Sequence, residues 1–126
     1  MLGAWTATRE GGTDAPHCRT LRRVCCSGEA LSCDLANDYQ SRVAAPLHNL
    51  YGPTEAAVDV TWQPASGDAL AACQGAGVPI GYPVWNTELR ILDALLRPVP
   101  VGVAGDPYLS GGQLADGSPH RADPTA

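Results

Sequence analysis

The chain has 126 residues, room for at most one ordinary domain, and its 44% hydrophobic and 17% charged composition is that of a globular chain. Its net charge of -5 would repel a phosphate backbone, so nucleic acid is excluded as an expected partner. All eight cations are arginines, so no chemistry that needs an ammonium group can be carried by this polypeptide.

In chain order, "MLGAW" reads as a fragment of helix followed by a Gly/Thr/Asp-rich surface loop that ends at "DAPHCRT". Leu21 to Cys26 reads as a short buried strand that stops at the Ser27-Gly28 turn. A helix follows, in which Leu31, Leu35, Tyr39 and Val43 recur every four residues along one face. Asp34, Asp38 and Arg42 turn to water, Ser32 is the expected N-cap and Pro46 marks the far end. "LHNLYG" reads as a second strand closed by Gly52-Pro53, and a strand, helix and strand of this size predict a parallel βαβ unit.

"PASGDALAACQGAG" reads as a loop and places a boundary between residues 64 and 78, giving parts at 1–70 and 71–126. Beyond it, short runs broken by Gly and Pro predict antiparallel β-structure, with Glu88 to Leu92 alternating as a half-exposed strand does. The expected fold class is therefore α/β, a partial parallel sheet followed by a small antiparallel subdomain. The tail, "ADGSPHRADPTA", is polar and does not end a fold, so the chain reads as truncated.

No apolar run approaches the roughly 18 to 20 residues of a membrane span. "MLGAWTATREGG" lacks a basic stretch followed by a long apolar one, so no secretory signal or membrane partner is expected and cytoplasmic residence is the default. Cys18, Cys25, Cys26, Cys33 and Cys73 make an odd count that argues against a disulfide framework. Their spacings do not suit a structural zinc site either. His17 beside Cys18 could start a metal site, but buried or incidental thiols are the better reading.

The stretch "HNLYGPTEAAVDV" places unusual chemistry at one corner. Gly52-Pro53 turns the chain sharply at a strand end, where ligands collect in open parallel sheets. Tyr51 can stack on a flat heterocycle, a contact of about 1 to 3 kcal/mol per base. Thr54 offers a hydroxyl to a phosphate oxygen, and Asn49 an amide to a base edge. Glu55 would repel a phosphate unless Mg²⁺ stood between them. On residue types alone, an ordinary Gly-Pro bend with a packed tyrosine stands ahead of this nucleotide reading.

"NLYGPTEAAVDVTW" closely resembles the fifth core motif of amino-acid adenylation domains of nonribosomal peptide synthetases, within the adenylate-forming superfamily. "SGEAL", "VPIGYPVWNTELRILD" and "GVAGDPYLSGGQLADG" resemble three further family stretches in the expected order, so the likeness covers almost the whole chain. It implies a truncated piece of the large N-terminal domain of an adenylate-forming enzyme. It further implies that Gly28 and Asn49 contact adenine, Tyr51 stacks on it, Gly52 forms the turn, Thr54 meets the α-phosphate and Glu55 holds Mg²⁺. The implied cofactors are ATP and Mg²⁺, with phosphopantetheine on a separate carrier domain as the next acceptor. In the implied reaction an amino-acid carboxylate attacks the α-phosphorus of ATP and pyrophosphate leaves. With a carboxyl pKa of about 3.5 the nucleophile is already ionised and needs no base.

By the same resemblance Cys25, Ser27, Leu50, Val58 and Asp59 line the substrate side-chain pocket. Ser27 and Asp59 are polar there, so a hydroxyl-bearing substrate, serine, is expected; the alternative is that Asp59 faces water on a strand. The family's Gly/Ser/Thr-rich phosphate loop ending in lysine has no counterpart, nor does the C-terminal lysine. A family Gly-Glu-Leu is Gly105-Asp106-Pro107, and Ala-Arg-Gly-Tyr is Ala115-Asp116-Gly117-Ser118. The altered motifs bear on the β-rich part more than on the nucleotide face, whereas the missing loop and lysine imply a piece that is inactive alone. The rival readings are a piece of an acyl-CoA ligase and a non-enzymatic remnant that binds no nucleotide.

Overall fold

The computed structural model describes residues 20–56, 58–73, 77–112 and 114; the expected N-terminal helix fragment, Ala115 to Ser118 and the polar tail lie outside them. The described elements are β1 (Val24–Cys26), α1 (Cys33–Arg42), β2 (Leu47–Tyr51), β3 (Thr61–Pro64), α2 (Asp68–Ala71), β4 (Tyr82–Pro83), β5 (Thr87–Leu92) and β6 (Asp106–Gly111).

Helix α1 forms for local reasons. The Ser32 hydroxyl accepts from the Leu35 amide at 3.2 Å, Asp34 sits in the first turn and Arg42 in the last. Arg42 also pairs with Asp38 one turn back at 2.7 Å. Leu31, Tyr39 and Val43 are buried as the four-residue spacing predicts, and Leu35 is half-buried. They meet Leu47, Ala65 and Leu70 in the core, with Val24 and Cys26 packed against it. Burying each large side chain of this kind contributes about 1.5 to 3 kcal/mol.

The helix carries the chain from β1 to a parallel β2, with Val24 opposite Leu47, Cys25 opposite His48 and Cys26 opposite Asn49. The βαβ unit is thus present. The same sheet continues antiparallel through β3 and β4, in the order β1-β2-β3-β4. A second sheet pairs β5 with β6 antiparallel, from Thr87 opposite Gly111 to Leu92 opposite Asp106. Pro107 lies in β6, whose only strand partner among the described residues is β5, so its missing amide leaves no gap in a central ladder.

Three expectations change. The first strand is three residues long and only half-buried, with Leu21 and Cys25 exposed, because α1 covers one face of the sheet and Cys25 points to the other. The expected loop over 64–78 instead holds the end of β3 and the single turn α2, with Ala65 and Leu70 in the core. Four helical residues are too few for a periodicity to register. Cys33 and Cys73 form a disulfide with Cα atoms 6.1 Å apart, tying the start of α1 to the residues just after α2. Tertiary packing makes that pair adjacent, and a count of cysteines cannot see it.

The segment after residue 77 stays on the first sheet before it enters the second. Asn49 Nδ2 donates to the carbonyls of Val78 at 3.3 Å and Pro79 at 3.0 Å, and Thr61 Oγ1 donates to that of Ile80 at 2.6 Å. Both side chains are buried, at 4% and 0% exposure, so these bonds satisfy polar groups that burial would otherwise penalise. Gly81, at φ +84°, is needed here, since a Cβ would sit 2.2 Å from the Trp62 carbonyl.

Two measurements follow from this framework. The disulfide closes a separation of 40 residues, for which loop entropy gives on the order of 3 to 4 kcal/mol. Cys73→Ser should therefore lower the urea midpoint strongly, and reductant should add nothing further in that variant. In the turn after β5, the Asp93 carboxylate accepts from the amides of Arg97 at 2.9 Å and Leu95 at 2.8 Å and from Arg97 Nε at 3.0 Å. The Arg97 backbone amide and then its guanidinium hold the Asp93 pKa below the ordinary 3.8. A lowered carboxyl stabilises the turn above the unfolded value, and that stability is lost as pH falls through the lower folded value. The protection of the Leu95 and Arg97 amides, taken relative to the intrinsic exchange rate at each pH, should fall below about pH 4 in the parent, and Asp93→Asn should show no such step.

Candidate functional site

Because β1 and β2 are parallel, their carboxyl ends open at one edge of the sheet, the place where open α/β sheets bind ligands. From β1 emerge Ser27 and Gly28. Gly28 has φ +86°, and a Cβ there would meet nothing within 4 Å, so its backbone presents an open surface. From β2 emerge Tyr51, half-buried, and Gly52.

Gly52 fixes the shape of this corner. A Cβ on it would lie 1.8 Å from the Val58 carbonyl oxygen, so the chain can fold back onto position 52 only if no side chain is there. Between the two ends, the Ala56 amide donates to the Pro53 carbonyl at 3.1 Å, closing a turn. That turn carries Thr54, exposed, and Glu55, half-buried. The Val60 amide donates to the Tyr51 carbonyl at 2.7 Å and closes the loop at its base. Ala56 also bridges to Leu114, just beyond the second sheet.

The returning chain brings Asp59 to β1, where its Oδ1 accepts a hydrogen bond from Ser27 Oγ. Two of the five expected pocket residues thus meet across 32 positions of sequence. Asp59 precedes β3 and is half-buried. Val58 beside it has φ +63° and is 83% exposed. A β-branched residue in the left-handed region is a true outlier, and such strain concentrates at functional corners.

The remaining expected residues divide between the two faces. Asn49 lies on the helix-covered face, with both amide hydrogens used on Val78 and Pro79; its Oδ1 is the part left to accept from a base amine. Cys25 and Leu50 lie on the other face, exposed and half-buried respectively. Burial pushes the Cys26 thiol up, with Cys25 adding to it, so Cys26 stays protonated at neutral pH.

Glu55 has no ion pair among the described residues, and no cluster of three His, Cys, Asp or Glu side chains there could enclose a metal. One free carboxylate on a turn fits Mg²⁺, which binds through one or two carboxylates and completes its shell with water and phosphate oxygens. A groove of about 430 Å³ lies elsewhere, along Arg90, Ile91 and Pro98–Val103, and includes none of the expected site residues. Its position on the second sheet gives it no part in the corner's chemistry.

Sequence reasoning did not find the strain at Val58, the Ala56–Leu114 bridge or a hydrogen-bonded stack of His48 on Trp62. His48 lies opposite Pro64 and Leu50 opposite Trp62, so the last is a diagonal contact. It needed a third strand, which local pattern does not place.

The AMP-binding enzyme family model matches residues 2–118. Enterobactin synthase component F of Escherichia coli is 60% identical over 126 residues, covering all of this chain and 10% of the relative. Vanchrobactin synthetase VabF of Vibrio anguillarum is 54% identical over 131 residues, again covering all of this chain and 4% of the relative. The chain thus spans a tenth or less of the length of these curated relatives. Among solved structures, the nonribosomal peptide synthetase FmoA3 in its α-methyl-L-serine-AMP-bound form aligns with TM-score 0.78 at 26% identity. That alignment covers 92% of this chain and 13% of that one.

The corner geometry is testable by itself. Gly52→Ala should destabilise the chain by about 1 to 3 kcal/mol in urea unfolding, since the obstructing atom is backbone and cannot rotate away. Val58→Gly should have the opposite sign, a gain of up to about 1 kcal/mol, by relieving the positive φ.

Proposed function

Because the chain belongs to the AMP-binding enzyme family, with the adenylation domains of nonribosomal peptide synthetases as its relatives, we propose that it builds the nucleotide and amino-acid corner of an enzyme that activates an amino acid as its adenylate. Gly28 and the Asn49 Oδ1 receive the adenine, and Tyr51 stacks on it. Gly52 lets the loop close over the ligand. Thr54 donates to the α-phosphate, and Glu55 holds Mg²⁺, which supplies charge neutralisation at the phosphates when bound. On this reading the nucleotide part is assigned to 1–70 and the β-rich part to 71–126, although β4, which follows that boundary, pairs with β3 on the first sheet.

The amino acid is serine on this reading, and the Ser27–Asp59 hydrogen bond is the observation that carries it. A half-buried carboxylate paired with a hydroxyl can exchange partners with a substrate hydroxyl at little cost. An apolar side chain would offer that carboxylate no further hydrogen bond, leaving the Ser27 hydroxyl as its partner. The α-methyl-L-serine-AMP held by FmoA3 supports the same class of substrate. In the reaction the substrate carboxylate oxygen attacks the α-phosphorus and the bond to pyrophosphate breaks, so no proton has to move. The aminoacyl group then passes to a carrier-domain phosphopantetheine thiol. This chain holds no lysine to bridge carboxylate and phosphate, so on its own it binds and does not turn over. Among the described residues no helix is long and apolar enough to cross a membrane, and cytoplasmic residence accompanies this reading.

Equilibrium dialysis of the chain with ATP and Mg²⁺ tests the nucleotide half. Glu55→Gln should weaken Mg²⁺-dependent ATP binding by about tenfold and leave Mg²⁺-free binding unchanged, since a charge-assisted contact is worth about 1.5 to 3 kcal/mol. Unchanged binding in Glu55→Gln would remove the metal role. Amino-acid-dependent pyrophosphate exchange by a protein holding the whole adenylation domain tests the other half. A preference for leucine over serine would reject the substrate.

A further inference from the structure

The sheet face turned away from α1 carries two of the proposed pocket residues and one pair that the proposed function leaves unused. Cys25 stands directly opposite His48 across β1 and β2, and Leu50 directly opposite Trp62 across β2 and β3. Directly opposed residues share a face, so these four side chains lie side by side. His48 and Trp62 are diagonal neighbours whose rings stack with centroids 5.6 Å apart and planes 25° apart. Trp62 Nε1–H also donates to His48 Nδ1 at 3.0 Å. Indole nitrogen is only a donor, so Nδ1 is bare and a neutral imidazole carries its proton on Nε2. The ring is therefore fixed in plane, in rotation and in tautomer.

Such a pair inside a core would need no special account. This one lies outside the core, with Trp62 41% exposed, and its immediate neighbours are the two apolar-wall residues of the proposed pocket. We propose that His48 and Trp62 are positioning residues of the amino-acid pocket. Their hydrogen-bonded stack holds Cys25 and Leu50 at a fixed spacing, so that the wall fits a small hydroxyl-bearing side chain and excludes a branched apolar one. The proposal rests on the adenylating function proposed above. Neither ring touches the reacting atoms. Both act through the wall, while Ser27 and Asp59 supply the polar end. An aliphatic wall alone could repack around a larger substrate, whereas two rings locked by a directional bond must break that bond to move.

The test uses the 126-residue chain, with non-hydrolysable seryl and leucyl sulfamoyl-adenosine analogues and ATP as probes. Trp62→Phe keeps an aromatic ring but removes the N–H together with part of the indole's area; His48→Ala removes the acceptor. Each should cut the preference for the seryl over the leucyl analogue by about fivefold while ATP affinity stays within about twofold, and the double variant should be no worse than either single one. Iodoacetamide alkylation of Cys25, followed by peptide mass, should rise by about threefold or more in both, because the wall beside it is no longer held. An unchanged preference together with unchanged Cys25 alkylation would overturn the proposal. If the parent chain binds both analogues equally, the serine reading fails. The alkylation arm then decides the positioning role alone. Should His48→Ala prove unfolded in a thermal scan, Trp62→Phe decides the question with the same two readouts.

Discussion

The corner of this molecule depends on one close approach, the Val58 carbonyl lying against the backbone of Gly52. Without it the chain leaving β2 could not double back within the short span to Val58 and reach β3 beside the strand it has just left. The return has two consequences. It puts Thr54 and Glu55 on an outward turn beyond the parallel strand ends, and it delivers Asp59 to Ser27 at the end of β1. A left-handed Val58 is the local cost, on the order of 1 to 3 kcal/mol. Backbone strain of that size persists only where neighbours over-determine it. Here the Val60–Tyr51 bond at the base and the Ala56–Leu114 bridge above do so.

The supports of the corner are polar. Asn49 and Thr61 are buried, and both spend their donors on carbonyls of residues 78–80. Apolar replacements would leave those carbonyls unpaired against the sheet, a larger loss than the hydrogen bonds themselves contribute. The helix-covered face of the first sheet is therefore held by α1 packing at one end and by hydrogen bonds to main-chain carbonyls at the other. The Cys33–Cys73 link joins α1 to the residues after α2 and so ties the outer chain to the same core.

Elements whose signals are local were legible in the sequence. Helix α1 announces itself through Ser32 and four-residue spacing, β2 through its stop at Gly52-Pro53, and β5 through alternation. The elements missed are those whose cause is elsewhere in the chain. Strand β4 is two residues long and exists because Trp62 and Thr61 offer a ladder to pair with. Helix α2 has four residues and is fixed by Leu70 reaching the core. The disulfide needs the tertiary fold before its sulfurs can meet. At the site, Tyr51, Gly52, Thr54 and Glu55 were visible as a run of unusual neighbours. That Ser27 and Asp59 come together could be suspected only through resemblance. The His48–Trp62 stack could not be seen at all without β3.

The two faces of the first sheet suggest how one small scaffold would serve two ligands. On the proposed reading, the base is received near Asn49 and Tyr51, on the side where buried amide bonds leave one acceptor over. On the same reading the amino-acid side chain would be received on the opposite face, with Cys25 and Leu50 as its apolar wall and the Ser27–Asp59 bond as its polar end. The chain crosses between these environments at the strand ends, over the few residues around Gly28 and Gly52. That is where a phosphorus atom would have to lie to be reached from both sides. A carboxylate at Asp59 is compatible with a nearby triphosphate only if the sheet separates them or a cation intervenes, because like charges a few ångströms apart repel strongly in a partly desolvated site. Thr54 and Glu55 sit on the turn between Gly52 and Val58, and Asp59 beyond it is already bound to Ser27. The two carboxylates are thereby given different work: Asp59 is satisfied by a neutral hydroxyl, and Glu55 has no cation of its own among the described residues. It is Glu55, the uncompensated one, whose charge on this reading calls for Mg²⁺ between it and the phosphates.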